Sequence, residues 1–190
     1  MKRVCVFCGS NPGHEPRFLE AATRLGAEIG SRGLGLVFGG AKLGMMGAVA
    51  DAALSSGSEV IGVIPEDLHR KGISHSGLTE LVVLPSMHER KAYQAEIGDA
   101  FIAMPGGLGT LDEIAEILTW AQLGLHLKPC GLLNVNGYFD ELLRFFDSSV
   151  GHGFLKPEHR EMLFVHPEPD QLLNAFRGYQ APTVNKWFKK

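Results

Sequence analysis

Cysteine is scarce in this sequence: Cys5, Cys8 and Cys130 are the only three among 190 residues. So odd and sparse a set excludes a disulfide framework and fits a reducing compartment. Long apolar runs are missing too, and none approaches the roughly 18–20 residues of a membrane span. The short apolar stretch behind Lys2 and Arg3 has no small-residue cleavage site after it, so it does not read as a signal peptide. A cytoplasmic protein without a membrane partner is expected. Positive charge is not in excess: 18 Lys and Arg stand against 21 Asp and Glu, a net charge of −3. The electrostatic footprint of a nucleic-acid binder is therefore absent. Metal-ligand spacing is absent as well. The eight histidines are scattered, and His88-Glu89 has Ala92 where a zinc helix needs its second histidine. Cys5 and Cys8 lie in an apolar strand pattern, on opposite faces of the strand, and read as buried small hydrophobes.

What is present is an ordinary globular composition, 45% hydrophobic and 21% charged. It is enough for a single domain over residues 1–180, with a short tail at 181–190. Apolar runs predict strands at Arg3–Cys8, Leu34–Phe38, Glu59–Ile64, Glu80–Leu84, Asp99–Met104, Cys130–Val135 and Met162–His166. Amphipathic stretches predict helices at Pro16–Ser31, Gly44–Ser56, Ser86–Ile97, Leu111–Leu123, Tyr138–Val150 and Glu168–Phe176. Pro65–Leu78 is the longest irregular stretch and reads as a surface loop or lid. Strands that are apolar throughout and alternate with helices make a parallel sheet covered on both faces. The fold class is α/β, a Rossmann-like doubly wound sheet of about seven strands.

Glycines cluster at three strand-to-helix turns: Cys8–Gly13, Gly39–Gly47 and Pro105–Glu113. In such sheets ligands bind at the carboxyl ends of the strands. A glycine turn opening a helix offers a close backbone approach and free N–H groups to an anion, most simply phosphate. Each turn taken alone could be merely structural. The first is not G-x-G-x-x-G, which argues against an NAD-dependent dehydrogenase. The second has Met45-Met46 where a P-loop needs Lys and Ser or Thr.

Thr110-x-x-Glu113 reads in two ways. It is a capping box, or else Glu113 lies one turn inside a phosphate-binding helix start, beneath the sugar. A carboxylate there suits an oxocarbenium-like transition state. Met87-His88-Glu89-Arg90-Lys91 reads either as a solvated charge run or as an anion-answering cluster, because cations are disfavoured at a helix start.

The run Pro105-Gly106-Gly107-Leu108-Gly109-Thr110-Leu111-Asp112-Glu113 resembles the PGGxGTxxE signature of the LOG ("lonely guy") family, often mislabelled lysine decarboxylases. The resemblance extends through Met87–Lys91, Val37–Gly47, Val60–Pro65, Leu118–Gly124 and Gly131–Val135. Departures from the common pattern are small: Asn11, Ala41, Leu108 and Gln94.

The resemblance implies hydrolysis of the N-glycosidic bond of a nucleoside 5′-monophosphate, with Arg90 and Glu113 as the catalytic pair. It implies substrate contacts from Lys91, Thr119 and the loop Gly106, Gly107, Leu108, Gly109 and Thr110, and a homodimer. Phosphate is expected on the 106–110 amides, helped by Gly39, Gly40 and Ser10. No metal or organic cofactor is expected; a pyridoxal-phosphate decarboxylase needs a Schiff-base lysine and a partner for the pyridinium nitrogen, and no such set is visible. The alternative is a non-catalytic nucleotide or cofactor carrier of the same architecture, similar to molybdenum-cofactor carriers.

Overall fold

A computed structural model describes residues 1–182. Most of the stretch read as a tail, from residue 183 on, lies outside the described residues. Seven strands form one sheet: β1 (Arg3–Phe7), β2 (Gly35–Phe38), β3 (Val60–Pro65), β4 (Glu80–Leu84), β5 (Ala100–Ala103), β6 (Cys130–Leu133) and β7 (Leu163–His166). The order is β4-β3-β2-β1-β5-β6-β7, with every pairing parallel. The doubly wound expectation is borne out. β1, β2, β3, β5 and β6 are buried almost end to end, which is why they read as unbroken apolar runs.

The helices are α1 (Pro16–Ser31), α2 (Gly44–Ser55), α3 (Glu66–Arg70), α4 (Met87–Ile97), α5 (Leu108–Gln122), α6 (Asp140–Gly151), α7 (Pro157–Arg160) and α8 (Pro169–Phe176). Two cores result. α1, α2 and α8 cover one face, around Leu25, Ile29, Phe38 and Met104. α4, α5 and α6 cover the other, around Phe7, Phe101, Ile114 and Ile117. Cys8 belongs to the first core and Cys5 to the second, as strand alternation requires. Burial pushes the thiols of all three cysteines up, so they stay protonated and inert. Close packing of α1 on α2 depends on bare backbone: a Cβ on Gly26 would sit 2.3 Å from the Val49 carbonyl oxygen.

Residues 65–78 are not simply irregular. They open with α3, whose Glu66 and Asp67 in the first turn and His69 and Arg70 in the last complement the helix dipole. The chain then lies against the turn after β2, where the Lys42 N–H donates to the Ile73 carbonyl (2.9 Å) and the His75 N–H to that of Gly40 (2.9 Å).

Gln94 on α4 is fully buried, and among the described residues neither its Oε1 nor its Nε2 has a hydrogen-bond partner. Burying an unsatisfied amide costs about 1–3 kcal/mol. Gln94→Met removes it at similar volume. The urea midpoint is expected to rise, with a gain of about 1 kcal/mol or more. An unchanged midpoint would show that buried water already serves the amide.

Candidate active site

β1 has β2 on one side and β5 on the other, so the strand order reverses there and a crevice opens beyond the carboxyl ends of β1 and β5. The loops that follow these two strands are joined: the Gly9 N–H donates to the Pro105 carbonyl at 3.0 Å and the Met104 N–H to that of Phe7 at 2.8 Å. Gly106 fits between them because it lacks a side chain. A Cβ there would lie 2.1 Å from Thr110 Oγ1 and 2.9 Å from the Gly9 nitrogen. The crevice is a cavity of about 510 Å³. Its walls are the first loop (Gly9, Ser10, Asn11, Gly13), Phe18 of α1, Met45 and Met46 of α2, residues 106–110 and Tyr138. Arg90 and Glu113 also line it, each only 8% exposed.

The start of α5 faces this cavity. Gly107, in an extended conformation, is the cap residue and supplies no side-chain hydrogen bond. The first-turn amides of Leu108, Gly109 and Thr110 have no carbonyl available within the helix. The capping-box reading of Thr110 and Glu113 does not hold. Thr110 is the third residue of α5 rather than its cap, and Glu113 turns to Arg90 instead of back to the helix start. Capping of that type occurs on α4, where the Ser86 hydroxyl accepts from the Glu89 N–H (3.2 Å) and donates to the Glu89 carboxylate (2.8 Å).

Arg90 is held on three sides. Its Nε–H donates to the Val63 carbonyl at the end of β3 (2.9 Å), Nη1 reaches the Met87 sulfur (2.9 Å), and Nη2 pairs with Glu113 Oε1 at 2.9 Å. Burial raises the Glu113 carboxyl above its ordinary value, and the Arg90 guanidinium opposes that rise. The carboxylate is thus nearly buried, paired to Arg90, and on the same cavity as the start of α5.

The structure does not bring every expected residue to the cavity. Ser10 and Gly106–Thr110 line it. Gly39 and Gly40 do not, and their glycines have another cause. A Cβ on Gly39 would lie 2.6 Å from Arg90 Nη2, so this residue makes room for the guanidinium. Gly40 takes a φ of +75°. One amide at the end of the second turn is already used, since the Met45 N–H donates to the Gly9 carbonyl (3.2 Å). Lys91 also stands apart, bridging α4 to α5 through Asp112 (3.0 Å) and Glu116 (3.1 Å). Thr119 donates to the Ala115 carbonyl and borders a different, 260 Å³ cavity between α5, α6 and α7. Conversely, Phe18, Met45, Met46 and Tyr138 went unrecognised. Each is a large side chain near a helix start, and periodicity assigns such residues to the core.

An all-parallel doubly wound sheet with an uncapped helix start and a buried ion pair at its switch point defines a Rossmann-like protein. Residues 46–176 match the family described as "Possible lysine decarboxylase". The chain is 48% identical over 178 residues to a probable cytokinin riboside 5′-monophosphate phosphoribohydrolase of Oryza sativa subsp. japonica, covering 94% of this chain and 78% of that one. It is 46% identical to a cytokinin riboside 5′-monophosphate phosphoribohydrolase of Arabidopsis thaliana, covering 94% and 84%. The chain belongs to this family, the LOG family. Among solved structures, the molybdenum cofactor binding protein of Rippkaea orientalis shares the fold with a TM-score of 0.71 at 21% identity, over 93% of this chain and 96% of that one.

Proposed function

We propose that this chain hydrolyses the N-glycosidic bond of adenosine 5′-monophosphate or its N6-substituted analogues, releasing the free base and ribose 5-phosphate. One observation carries the reading: a buried carboxylate paired to arginine, one turn inside an uncapped helix start, on the same cavity. The names of the curated relatives support it. Phosphate sits on the 106–110 amides, with the Ser10 loop beside it, and this remote contact positions the glycosidic bond. As that bond breaks, positive charge develops on the ribose and the base departs with the bonding electrons. Glu113 stabilises the charge, and water supplies both the hydroxyl that ends on C1′ and, on balance, the proton that the departing base gains. Arg90 keeps Glu113 ionised and oriented. A purely non-catalytic carrier gives no reason to bury a carboxylate beside an anion.

A two-fold homodimer is part of the same proposal. Leu123, Leu125 and Leu127, at the end of α5 and beyond, are 40%, 69% and 70% exposed, a contiguous apolar stretch of the kind that interfaces cover. Trp120 contributes less than its size suggests, because it packs partly against the core beneath α5.

Incubation with AMP is expected to release adenine, and adenosine is expected to be a far poorer substrate because the helix start loses its anion. Equal turnover of the two would remove the phosphate site from the argument. Glu113→Gln should still fold and bind nucleotide while losing about 10²–10⁴-fold in kcat. In the wild type kcat/KM should fall as pH drops through the Glu113 ionisation. Because burial raises that carboxyl, the acid limb should lie above about 4.3, the ordinary glutamate value. Light scattering at micromolar concentration should give a dimer's mass; a fully active monomer would contradict the interface.

A further inference from the structure

The peptide between Gly106 and Gly107 is poorly able to hold its own orientation. A peptide plane turns over by changing ψ of the residue before it and φ of the residue after it. Glycine on both sides removes the Cβ contacts that ordinarily oppose this. The Gly107 site is open, with no atom within 4 Å of where a Cβ would stand. Yet this peptide leads into the start of α5, where a turned-over N–H would spoil an anion site. One side chain grips it: the Tyr138 hydroxyl donates to the Gly106 carbonyl at 2.5 Å.

Tyr138 is itself built in firmly. The Asn134 side chain donates to the Asp140 carboxylate (2.8 Å) and accepts from the Phe139 N–H (2.8 Å), closing the turn that follows β6. Asn136 and Gly137 adopt positive φ in that turn, +53° and +72°. The Tyr138 ring stands edge-on to Phe18 (5.8 Å) and to Phe139 (5.1 Å). A rigid turn thus delivers a hydroxyl to the one carbonyl of the glycine loop that most needs fixing.

The geometry points to Tyr138 as a positioning residue for phosphate recognition. By holding the Gly106 carbonyl, it fixes the plane of the 106–107 peptide. In a trans peptide the N–H lies opposite the carbonyl, so the direction of the Gly107 N–H is fixed as well. The inference rests on the phosphate site proposed above and adds what keeps that site in shape.

The test compares wild type, Tyr138→Phe and the double variant Tyr138→Phe/Gly107→Ala. Release of adenine from AMP by the wild type tests the functional reading by itself. Direct titration with AMP and with ribose 5-phosphate tests the positioning role. Tyr138→Phe keeps the ring and should keep the melting temperature. It should weaken binding of both ligands, and raise KM for AMP, by about tenfold, with kcat changed less than threefold. Turning the peptide over would carry residue 107 into the left-handed region, where alanine is strained. Gly107→Ala should therefore restore most of the lost affinity. The phosphate-induced shift of the Gly107 amide resonance should shrink in Tyr138→Phe and return in the double variant. Unchanged ligand affinity in Tyr138→Phe would overturn the inference, as would an affinity loss that Gly107→Ala does not repair. So would an equal loss for adenosine, which lacks the phosphate.

Discussion

Arg90 and Glu113 share a site from which water is nearly excluded, and neither could stay there charged without the other. Much of the local structure follows from accommodating that pair. Gly39 has no side chain because the guanidinium occupies the space. The end of β3 turns its Val63 carbonyl to the Nε–H. α4 and α5 are tied a second time by Lys91, Asp112 and Glu116, a surface-side bridge next to the buried one. The cavity opens on the one side of the pair that the protein leaves uncovered.

The three glycine turns look alike in the sequence and do different work. The first folds over the start of α2 and takes up its Met45 N–H. The second makes room for the arginine. The third opens α5, whose start has no side-chain cap and whose first three residues, Leu108, Gly109 and Thr110, all line the cavity. The start of α5 and the Arg90–Glu113 pair thus share one cavity.

The fold was legible because its strands are buried on both faces and read as uninterrupted apolar runs, while α1 and α2 begin at a proline and a glycine that mark their starts. Short elements were not legible: α3 and α7 have five and four residues, too few for a periodic signal. α5 starts three residues before the amphipathic pattern predicts, because Leu108-Gly109-Thr110 has the composition of a loop, yet Gly109 lies inside the helix. In the site, Glu113 and Arg90 were found from their motifs. Lys91 and Thr119 were carried in by the same motifs but face other partners, since neighbouring positions on a helix point in different directions. Phe18 and Tyr138 reach the cavity from α1 and from the turn after β6. Nothing local marks them, and only the strand order brings them together.

That strand order also has a bearing on how the molecule assembles. β1 is made first, yet it lies inside the sheet, and β5, its second neighbour, begins 97 residues after it starts. Until residues 100–103 arrive, one whole edge of β1 is without a ladder, and the loop at its end lacks the Pro105 carbonyl that receives its Gly9 N–H. The cavity therefore cannot exist in a half-made chain, even one in which β1 to β4 have already paired. Such non-local pairing is slow, and it leaves an apolar strand edge open to wrong partners. During synthesis this edge stays open until β5 is made, and the same pairing joins the two loops on which the cavity is built.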